Sequence, residues 1–504
     1  MTIPYRKVLV ANRGEIALRV IRACRVLGIG SVAVASEADR GAPHALEADE
    51  CVEIGPPEPR ASYLDVDRIV EAAKATGAEA VHPGYGFLSE DPRLPRALEA
   101  AGIVFVGPPA AVLEASADKL IVKRRVAEAG VPVIPGPLEA VADDEAALRA
   151  AGEATGYPLL VKAVAGGGGK GMRRVARAAD LAEAAAGARR EAAGAFGRAD
   201  LYLERIVEPA RHVEVQILAD AHGGVLAIGE RDCSMQRRHQ KVLEECPAPG
   251  LSDEQRAAIH AAGVGAARAL GYQGAGTAEM LLDADGAVWF LEMNRRLQVE
   301  HPVTEAVFGV DLVTWQLRLA AGERLPSADA FVGRGHAIEA RVYAEDPPRG
   351  FLPSPGTILH ARSPVGPGIR VDGVLGDGVR VPPYYDPMLA KVIAHGATRE
   401  EARARLDAAL AETVVMGVRH NIGFLRTLLA DPLFADPAQL RIDGIDRDVE
   451  RLVVEPPLDD VVLLAAATAA PAPVAGAGSG TGPARIAGPW VTLGAFRLGE
   501  EGGR

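Results

Sequence analysis

Two carboxylates stand on either side of a predicted hairpin turn. Glu279 lies in the stretch TAEMLL and Glu292 ends the stretch VWFLE, with turn-forming residues 283–286 between them. A tight hairpin would pair Leu282 with Ala287. In that register Glu292 is the diagonal neighbour of Glu279 on the same face of the hairpin, so the two side chains converge.

Converging carboxylates repel each other and therefore require cations. Mg²⁺ prefers oxygen ligands and bridges nucleotide phosphates, so Glu279 and Glu292 predict a site for Mg²⁺ (or Mn²⁺), with Asn294 as a further oxygen ligand. The competing interpretation is a pair of exposed glutamates at the ends of two strands.

Cationic and hydrogen-bonding residues are dense on both sides of this hairpin. RDCSMQRRHQK spans residues 231–241, and NRRLQVEH spans residues 294–301. Together these segments could hold bicarbonate, phosphate and a developing oxyanion in one place. Either segment taken alone would indicate a solvated charged face.

A glycine run offers a second place for an anion. Residues 166–169 are all glycine, and Lys170 and Gly171 follow them. Without side chains to obstruct a ligand, the backbone N–H groups could wrap a triphosphate. The run is not a P-loop, because Lys170 is not followed by the Ser or Thr that a P-loop requires. A plain surface turn is the alternative.

Lysine is scarce in this chain. Lys and Arg together number 55, yet lysine occurs only at Lys7, Lys74, Lys119, Lys123, Lys162, Lys170, Lys241 and Lys391. A chain so biased towards Arg that keeps lysine at 119, 162 and 241 indicates a need for a compact ammonium at those positions. Solvent-facing lysines are the alternative for each position taken singly.

The elements that position these groups follow from the hydrophobic pattern. Short apolar runs predict strands at residues 7–11, 31–36, 78–81 and 103–106, and amphipathic patterns predict helices at residues 17–28 and 64–75. This βαβ series predicts a parallel sheet through about residue 107. The stretch ANRGE has one glycine where a dinucleotide site needs G-x-G-x-x-G, so NAD binding is not predicted.

Two further units follow along the chain. From Asp118 we predict a strand at residues 159–162, a helix at residues 178–193, and half-buried antiparallel strands in LYLE and HVEVQIL. The stretch HAIEARVYAE at residues 336–345 alternates again and opens a third unit that ends near residue 446. Residues 465–483, rich in Ala, Pro, Gly and Ser, predict a flexible linker.

Composition limits the class of protein. A chain of 504 residues exceeds one hydrophobic core and predicts three or four units, and 48% hydrophobic residues are typical of a globular protein. The net charge of -12 gives no footprint for nucleic acid or anionic lipid. Neither a membrane-length apolar run nor a signal peptide is evident, so we expect a cytoplasmic protein. Four scattered cysteines predict neither disulfides nor structural zinc.

The motifs resemble one known family. The chain is similar to the biotin carboxylase subunit or domain of acyl-CoA carboxylases, which are ATP-grasp enzymes. The resemblance covers residues 4 to about 450 through the motifs ANRGEIALRV, HPGYGFLSE, GGGGKGM, RHVEVQ, RDCSMQRRHQK, EMNRRLQVEHPVTE, EARVYAEDP and FLPSPG.

The resemblance implies a multidomain protein of mixed α/β and α+β class. Its parts are a Rossmann-like N-terminal domain at residues 1–117, an ATP-grasp domain at residues 118–332 with a mobile lid at about 131–205, and a biotin carboxylase C-terminal domain at residues 333–450. Residues 451–504 are expected to hold the linker and the start of a bridging segment.

The resemblance also implies roles for individual residues. ATP contacts are carried to Lys119, Lys162, Gly168, Gly169, Glu204, Arg205, Ile206, Val207, His212, His239, Glu279 and Glu292. The metal role falls on Glu279, Glu292 and Asn294, as already inferred. The positions that bind bicarbonate and biotin are Lys241, Arg296, Gln298, Val299 through its backbone, and Arg341. Lys241, Arg296, Glu300 and Arg341 form the implied catalytic set.

The implied reaction has two stages. Glu300 takes the proton of bicarbonate, and the oxyanion attacks the γ-phosphorus of MgATP to form carboxyphosphate. Carboxyphosphate breaks down to CO₂ and phosphate, which deprotonates the biotin ureido nitrogen. Arg341 stabilises the resulting enolate while that nitrogen captures CO₂. Because carboxyphosphate hydrolyses readily, a lid that excludes water fits the chemistry.

Two departures from the family pattern concern the implied site and its partners. Arg295 stands where many relatives have Thr beside the implied catalytic Arg296. Residues 487–499 resemble the start of the bridge that leads, in fused α chains, to a biotinyl domain, but here no Met is followed by Lys. We therefore expect biotin on a carrier protein or on a continuation of the chain, a carboxyltransferase partner, and a homodimer or larger complex.

Three alternatives remain open on the sequence alone. The chain could be the biotin carboxylase part of a pyruvate or urea carboxylase, or a carbamoyl-phosphate-type ligase, although the duplicated half of such a ligase is not visible. It could also be a catalytically silent subunit that binds nucleotide. The presence of Lys241, Glu279, Glu292, Arg296 and Glu300 argues against silence.

Overall fold

The computed structural model describes residues 3–164 and 172–454. The first part of the chain alternates strands and helices: β1 (Lys7–Val10), α1 (Gly14–Val26), β2 (Gly30–Ala35), α2 (Pro43–Glu47), β3 (Glu50–Glu53), α3 (Val66–Thr76), β4 (Ala80–His82), α4 (Arg93–Ala100), β5 (Val104–Phe105) and α5 (Ala110–Ala115). All five strands run parallel in the order β3-β2-β1-β4-β5. The predicted parallel sheet is confirmed.

Helix α1 shows why the hydrophobic pattern succeeded here. Of the predicted apolar face, Ala17, Ile21 and Cys24 are fully buried against the sheet, and Leu27 is partly buried beside them. The helix ends where Gly28 takes a left-handed backbone with φ of +69°. Strand β3, by contrast, was not predicted, because its sequence ECVE is a largely exposed sheet edge without an apolar run.

The middle of the chain holds two sheets. Its elements are α6 (Lys119–Glu128), α7 (Glu145–Thr155), β6 (Leu159–Ala163), β7 (Arg173–Val175), α8 (Leu181–Phe196), β8 (Leu201–Arg205), β9 (Ala210–Ala219), β10 (Val225–Arg237), β11 (Gln240–Cys246), α9 (Asp253–Ala269), β12 (Gly274–Asp283), β13 (Val288–Asn294), α10 (His301–Phe308) and α11 (Leu312–Ala320). Strands β7-β6-β8 form a small antiparallel sheet that packs on α7 and α8 around its own core, inside the segment predicted as a lid.

The last part of the chain extends the larger of these sheets. Its elements are β14 (His336–Tyr343), β15 (Glu345–Asp346), β16 (Leu352–Pro353), β17 (Gly356–Thr357), β18 (His360–Arg362), β19 (Ile369–Gly373), β20 (Arg380–Val381), β21 (Met388–Gly396), α12 (Arg399–Glu412), β22 (Val414–Met416), α13 (Ile422–Ala430), α14 (Pro432–Ala435) and α15 (Gly444–Leu452). The eight-stranded sheet has the order β13-β12-β9-β10-β11-β14-β21-β19. It therefore runs without a break across the predicted boundary at residue 332, and the domain limits stay a prediction.

The expectation of half-buried strands was wrong for both LYLE and HVEVQIL, since every residue of the two stretches is buried. In β9, Val213, Val215 and Ile217 pack against α9, which is the predicted apolar face. The opposite face, with Glu214 and Gln216, is equally buried. The alternation is real, but the polar side chains face other parts of the protein instead of water, because further elements cover that side of the sheet.

Strand β14 behaves in the same way. Ile338, Ala340 and Val342 join the apolar core beneath α12 and α13, as the alternation predicts. Glu339 and Arg341 point to the other face and are also buried. The polar faces of β9 and β14 thus lie on one continuous sheet, and this arrangement builds the site.

Among the residues that the structure describes, no helix combines the length and the apolar character that a membrane crossing requires.

Candidate active site

The hairpin that carries Glu279 and Glu292 has a different register from the predicted one. Leu282 pairs with Val288 instead of Ala287. A bulge at Leu291 then shifts the pairing by one further residue, so that Glu279 lies directly opposite Glu292. The prediction of a diagonal pair was wrong, and the two carboxylates lie closer in register than expected.

The donor atoms around this hairpin fit a divalent cation. His212, Glu214 and Glu279 each offer a ligand atom, all within 4.8 Å of one another. Arg231 and Lys241 already occupy the two Glu214 oxygens, at 2.6 Å each. Glu292, with 43% of its side chain exposed and Lys119 at 3.8 Å, has room for a cation. Glu279 and Glu292, with Asn294 two residues further along β13, offer the oxygen ligands that a divalent cation prefers.

Lys241 lies at the centre of the site. Its Nζ is 2.6 Å from Glu214, 2.9 Å from Glu279 and 2.6 Å from Glu300. Burial opposes its charge, but these three carboxylates outweigh burial and raise the pKa of Lys241 well above its usual range. A position that contacts three carboxylates requires a compact ammonium, and the retention of lysine at 241 in an Arg-rich chain indicated such a requirement.

Glu300 is completely buried and paired at both oxygens. Its Oε1 accepts from Lys241, and its Oε2 accepts from Arg341 at 2.9 Å. Burial alone would raise the pKa of Glu300, but Lys241, Arg341 and Arg231 together outweigh it and hold that pKa well below its usual range. The carboxyl group is therefore ionised, as a proton acceptor must be, while its basicity is suppressed.

Seven residues form what we call the central network: the cations Lys241, Arg231 and Arg341 and the carboxylates Glu214, Glu244, Glu279 and Glu300. The Arg231 guanidinium donates to Glu214, Gln216, Thr277 and Thr304. Glu244 accepts from Nε of Arg341 at 2.5 Å. Burial and the nearby Glu300 raise the pKa of Glu244 to about 7, because Arg341 must also serve Glu300.

The segment between β13 and α10 brings the predicted bicarbonate positions to this network. Gln298 donates to Glu279 at 3.1 Å, and Arg296 donates to the Gln298 side chain at 2.9 Å. The Val299 carbonyl accepts from Lys391, a fully buried lysine of β21, at 2.9 Å. Lys391 thereby fixes the peptide that joins Val299 to Glu300.

The N-terminal part of the chain supports the same segment. Lys391 pairs with the buried carboxylate of Glu15 at 3.2 Å, and Tyr85 donates to Glu15. Glu90 accepts from the backbone N–H of Arg295 at 2.9 Å, and the Arg295 side chain donates to the Leu113 carbonyl. The motifs ANRGEIALRV and HPGYGFLSE thus hold the segment that presents Glu300, and Arg295 adds an anchor to the N-terminal part.

A second charged group, the Glu204 cluster, lies at the edge of β8. Glu204 accepts from Lys123 and from Lys162, each at 2.7 Å, and all three side chains are buried. Both ammoniums also lie near the face of the Tyr202 ring, at 5.7 Å and 5.6 Å from its centroid. Burial alone would raise the pKa of Glu204, but Lys162 and Lys123 outweigh burial and lower it.

The other predicted nucleotide positions have mixed placements. His212 lies 3.3 Å from Glu279, inside the site. Arg205, which stacks on Trp289, and Ile206 and Val207 follow directly after Glu204 at the end of β8. His239 is exposed at the tip of the β10–β11 hairpin, with φ of +65°, and the structure does not bring it to the cluster. Gly168 and Gly169 lie outside the described residues.

Family models match most of the chain. The model described as biotin carboxylase, N-terminal domain, matches residues 4–113, and the biotin carboxylase C-terminal domain matches residues 339–446. The ATP binding domain of the carbamoyl-phosphate synthase L chain matches residues 118–328. The biotin carboxylase of Pseudomonas aeruginosa is 48% identical over 429 residues, which are 85% of this chain and 95% of that protein. This chain belongs to the biotin carboxylase family.

Solved structures agree with this membership. The biotin carboxylase domain of the 2-oxoglutarate carboxylase of Hydrogenobacter thermophilus, solved as a dimer with MgADP, ADP and bicarbonate, has a TM-score of 0.85 and 43% identity. The match covers 90% of this chain and 99% of that domain. Pyruvate carboxylase of Rhizobium etli has a TM-score of 0.85 and 42% identity, over 92% of this chain and 42% of that longer one.

Family membership confirms several predictions from the sequence. The suspected family, the multidomain α/β and α+β fold and the class of enzyme, an ATP-dependent biotin carboxylase, are all confirmed. The roles of individual site residues stay predictions. The structure shows where these residues lie, and all four members of the implied catalytic set, Lys241, Arg296, Glu300 and Arg341, lie in or beside the central network.

Several residues of this biotin carboxylase site were not predicted from the sequence. They are Lys123 and Lys391, the buried glutamates Glu214 and Glu244, and Glu15. The scarcity of lysine could have found the first two, since each is a lysine kept in an Arg-rich chain and each is buried in ion pairs. For the glutamates no local signal exists, because their partners come from distant strands.

Proposed function

We propose that this chain carboxylates biotin carried on a separate carrier domain or protein, using ATP and bicarbonate and passing through carboxyphosphate. The observation that carries this proposal is the pairing of Glu300. Glu300 is a completely buried, ionised carboxylate that pairs with Lys241 on one oxygen and with Arg341 on the other. These two cations can turn from Glu300 to an incoming anion.

The proposed first step is proton transfer from bicarbonate to Glu300. When bicarbonate enters, Lys241, Arg296 and Gln298 are the groups that can hold its oxygens. Each cation that turns from Glu300 to bicarbonate removes a cause of the depressed pKa of Glu300. The base therefore gains proton affinity when its substrate arrives and stays weakly basic in its absence.

ATP is proposed to lie between the Glu204 cluster and the β12–β13 hairpin. Lys119 begins α6 beside Glu292, and Lys162 lies at the end of β6, so that both can reach phosphate groups. Glu279, Glu292 and Asn294 would hold a divalent cation. When bound there, Mg²⁺ or Mn²⁺ would neutralise charge on the phosphate oxygens. The bicarbonate oxyanion then attacks the γ-phosphorus, and ADP leaves.

Arg341 is proposed to act in the second stage. Carboxyphosphate yields CO₂ and phosphate, and phosphate takes the proton of the biotin ureido nitrogen. The guanidinium of Arg341 stabilises negative charge on the ureido oxygen while the nitrogen bonds to CO₂. Glu244 fixes the orientation of Arg341 by pairing with both Nε and Nη2, and Nη2 also donates to Glu300.

The small sheet β7-β6-β8, with α7 and α8, is proposed as the lid that closes over ATP and excludes water from carboxyphosphate. The proposed partners are a biotin carboxyl carrier protein or domain and a carboxyltransferase subunit, in a homodimer or larger complex located in the cytoplasm. The carboxyltransferase would select the final acceptor, an acyl-CoA in the interpretation that we favour.

The deciding experiment measures ADP release from MgATP with bicarbonate and free biotin, each omitted in turn. We expect release that requires bicarbonate and rises with biotin, together with transfer of ¹⁴C from bicarbonate to biotin. Nucleotide binding without any ADP release, when a biotinylated carrier is also present, would contradict the proposal and favour a silent subunit.

A further inference from the structure

The Glu204 cluster holds two ammonium groups against one carboxylate. Lys123 Nζ lies 2.7 Å from one Glu204 oxygen, and Lys162 Nζ lies 2.7 Å from the other. The three side chains are 7%, 8% and 4% exposed, in the order Lys123, Lys162, Glu204. Neither ammonium is therefore well solvated by water, so each depends on a nearby negative charge.

The cluster carries one positive charge more than its carboxylate can balance. Within residues 3–164 and 172–454, Glu204 is the only carboxylate within 4.0 Å of either ammonium. Lys119 adds a third ammonium nearby, at 3.8 Å from Glu292. A buried surplus of positive charge at the end of a strand is stabilised by an anion, and a polyphosphate supplies several charges at once.

Helix α6 explains why two of these lysines differ in exposure. Lys119 and Lys123 are four residues apart, so they project from the same face of α6, one turn apart. Asp118 caps this helix through the backbone N–H groups of Leu120 and Ile121 and fixes its start. Lys119 lies at the first turn and is partly exposed, whereas Lys123 lies one turn deeper and is buried against Glu204.

A nucleotide poses a problem for Lys162. If its ammonium turns from Glu204 to a phosphate, it gives up its 2.7 Å pair with that carboxylate. If Lys162 were the sole partner of Glu204, its departure would leave a buried, unpaired carboxylate, which is strongly unfavourable. Lys123 removes this difficulty, since it keeps one oxygen of Glu204 paired after Lys162 has moved.

We infer that Lys123 is a positioning residue for nucleotide binding: it keeps Glu204 neutralised so that Lys162 can exchange that carboxylate for the phosphates of ATP. The inference rests on the proposed function, in which Lys162 contacts ATP. It adds a residue for which the sequence gave no role, and it assigns the effect to nucleotide affinity instead of to the later chemical steps.

The test measures the dissociation constant for MgATP by titration calorimetry in the absence of bicarbonate and biotin. For Lys123→Met we expect that constant to rise about tenfold or more. When Lys162 turns to phosphate in this variant, Glu204 is left buried without a paired cation. Lys123→Gln keeps a hydrogen-bond donor to Glu204 without the charge and serves as a milder variant, with a smaller rise expected. Arg125→Met, which removes an exposed cation from the same helix, is the matched control and should change the constant less than twofold.

A double-mutant cycle with Glu204→Gln separates positioning from a merely structural role. When residue 204 carries no charge, the departure of Lys162 leaves no unpaired carboxylate. Lys123→Met should therefore change the MgATP dissociation constant less than twofold in that background. Thermal unfolding without nucleotide is the second readout. The remaining one-to-one pair of Lys162 with Glu204 should keep the Lys123→Met protein close to the wild-type midpoint.

Two results would overturn the inference. One is an unchanged MgATP dissociation constant in both Lys123 variants. The other is an equal rise with and without the charge of Glu204, which would indicate a general packing defect. Failure of the proposed function is a separate outcome, because the wild-type protein would then bind no MgATP at all, or Lys162→Met would bind it as tightly as wild type.

Discussion

The central network and the Glu204 cluster are both buried, but their charge balances have opposite signs. The central network joins four carboxylates to three permanent cations, Lys241, Arg231 and Arg341. The Glu204 cluster joins two ammoniums to one carboxylate. The excess of carboxylate suits the divalent cation proposed beside Glu279, and the excess of ammonium suits the phosphates of ATP.

Two glutamates show the consequence of this difference. Glu204 and Glu244 are both buried, yet Glu204 has a lowered pKa and Glu244 has one raised to about 7. Burial acts on both in the same direction. The number of cations available to each carboxylate decides the outcome, since Glu204 has two to itself and Glu244 shares Arg341 with Glu300.

The largest expected effect separates the two regions. Glu300→Gln removes the proposed base from the central network but leaves the Glu204 cluster intact. We expect biotin-dependent ADP release to fall by roughly 10² to 10⁴-fold, while the dissociation constant for MgATP stays nearly unchanged. Steady-state ADP release and titration calorimetry are the two measurements. A variant that retains wild-type turnover would rule out Glu300 as the base.

Arg341→Ala is expected to split the two stages of the reaction. Biotin carboxylation should fall by about 10²-fold, because the ureido enolate loses its counter-charge, and bicarbonate-dependent ADP release should fall less. Both are measured on one preparation, with ¹⁴C transfer to biotin for the first. Arg341→Lys, which keeps a charge but not the link between Glu244 and Glu300, serves as the control. Equal losses in both assays would argue against an enolate role.

Glu244→Gln tests the excess of carboxylate in the central network through pH. The folded-state pKa of Glu244, about 7, lies above its ordinary 4.5, so its contribution to stability is fully present below 4.5 and is lost as pH rises to 7. Removing this titration should make the variant more stable relative to wild type as pH rises through that window, by on the order of 3 kcal/mol. Denaturant unfolding at pH 4.5, 6 and 7.5 measures it.

The neighbouring Glu245 supplies a control of opposite sign. It lies on the other face of β11 and pairs with Arg399 and His336, which outweigh burial and lower its pKa. Its contribution to stability is present above its ordinary pKa and is lost as pH falls. Glu245→Gln should therefore be less stable than wild type at pH 7, and the deficit should shrink in acid. The same pH trend in both variants would contradict the assignment.

The smallest expected effect concerns the proposed metal site. Glu292→Gln should raise the Mg²⁺ concentration required for half-maximal ADP release by roughly three- to tenfold, because 43% of the Glu292 side chain is exposed and solvent weakens its field. Asp285→Asn, on the exposed turn of the same hairpin, is the matched control. An unchanged Mg²⁺ requirement would place the metal on other ligands.

Local pattern predicted much of the fold. The parallel sheet β1 to β5 and helix α1 follow from apolar runs and from one amphipathic face, which are properties of a few neighbouring residues. Pattern failed where tertiary contacts override it. The alternation of β9 indicated water on one face, but the polar side chains Glu214 and Gln216 are covered by other elements and bind Arg231.

The same limit applies to the hairpin. Turn residues and alternation located both strands and brought Glu279 and Glu292 to one face. The register depends on a bulge at Leu291, next to Phe290, whose backbone N–H donates to the Pro132 carbonyl. That contact joins residues far apart in the chain, so no local rule could have placed Glu292 directly opposite Glu279.

The sequence by itself determined the family and the fold class and indicated the residues of the implied catalytic set, because residue types and motif spacing are local. Tertiary structure alone decided how these groups are charged. Lys241 meets three carboxylates, Glu244 must share one guanidinium, and Lys123 and Lys162 meet on one glutamate, through strands and helices distant in the chain. Charge balance in a buried site is a sum over all neighbours in space, and those neighbours exist only once the chain has folded.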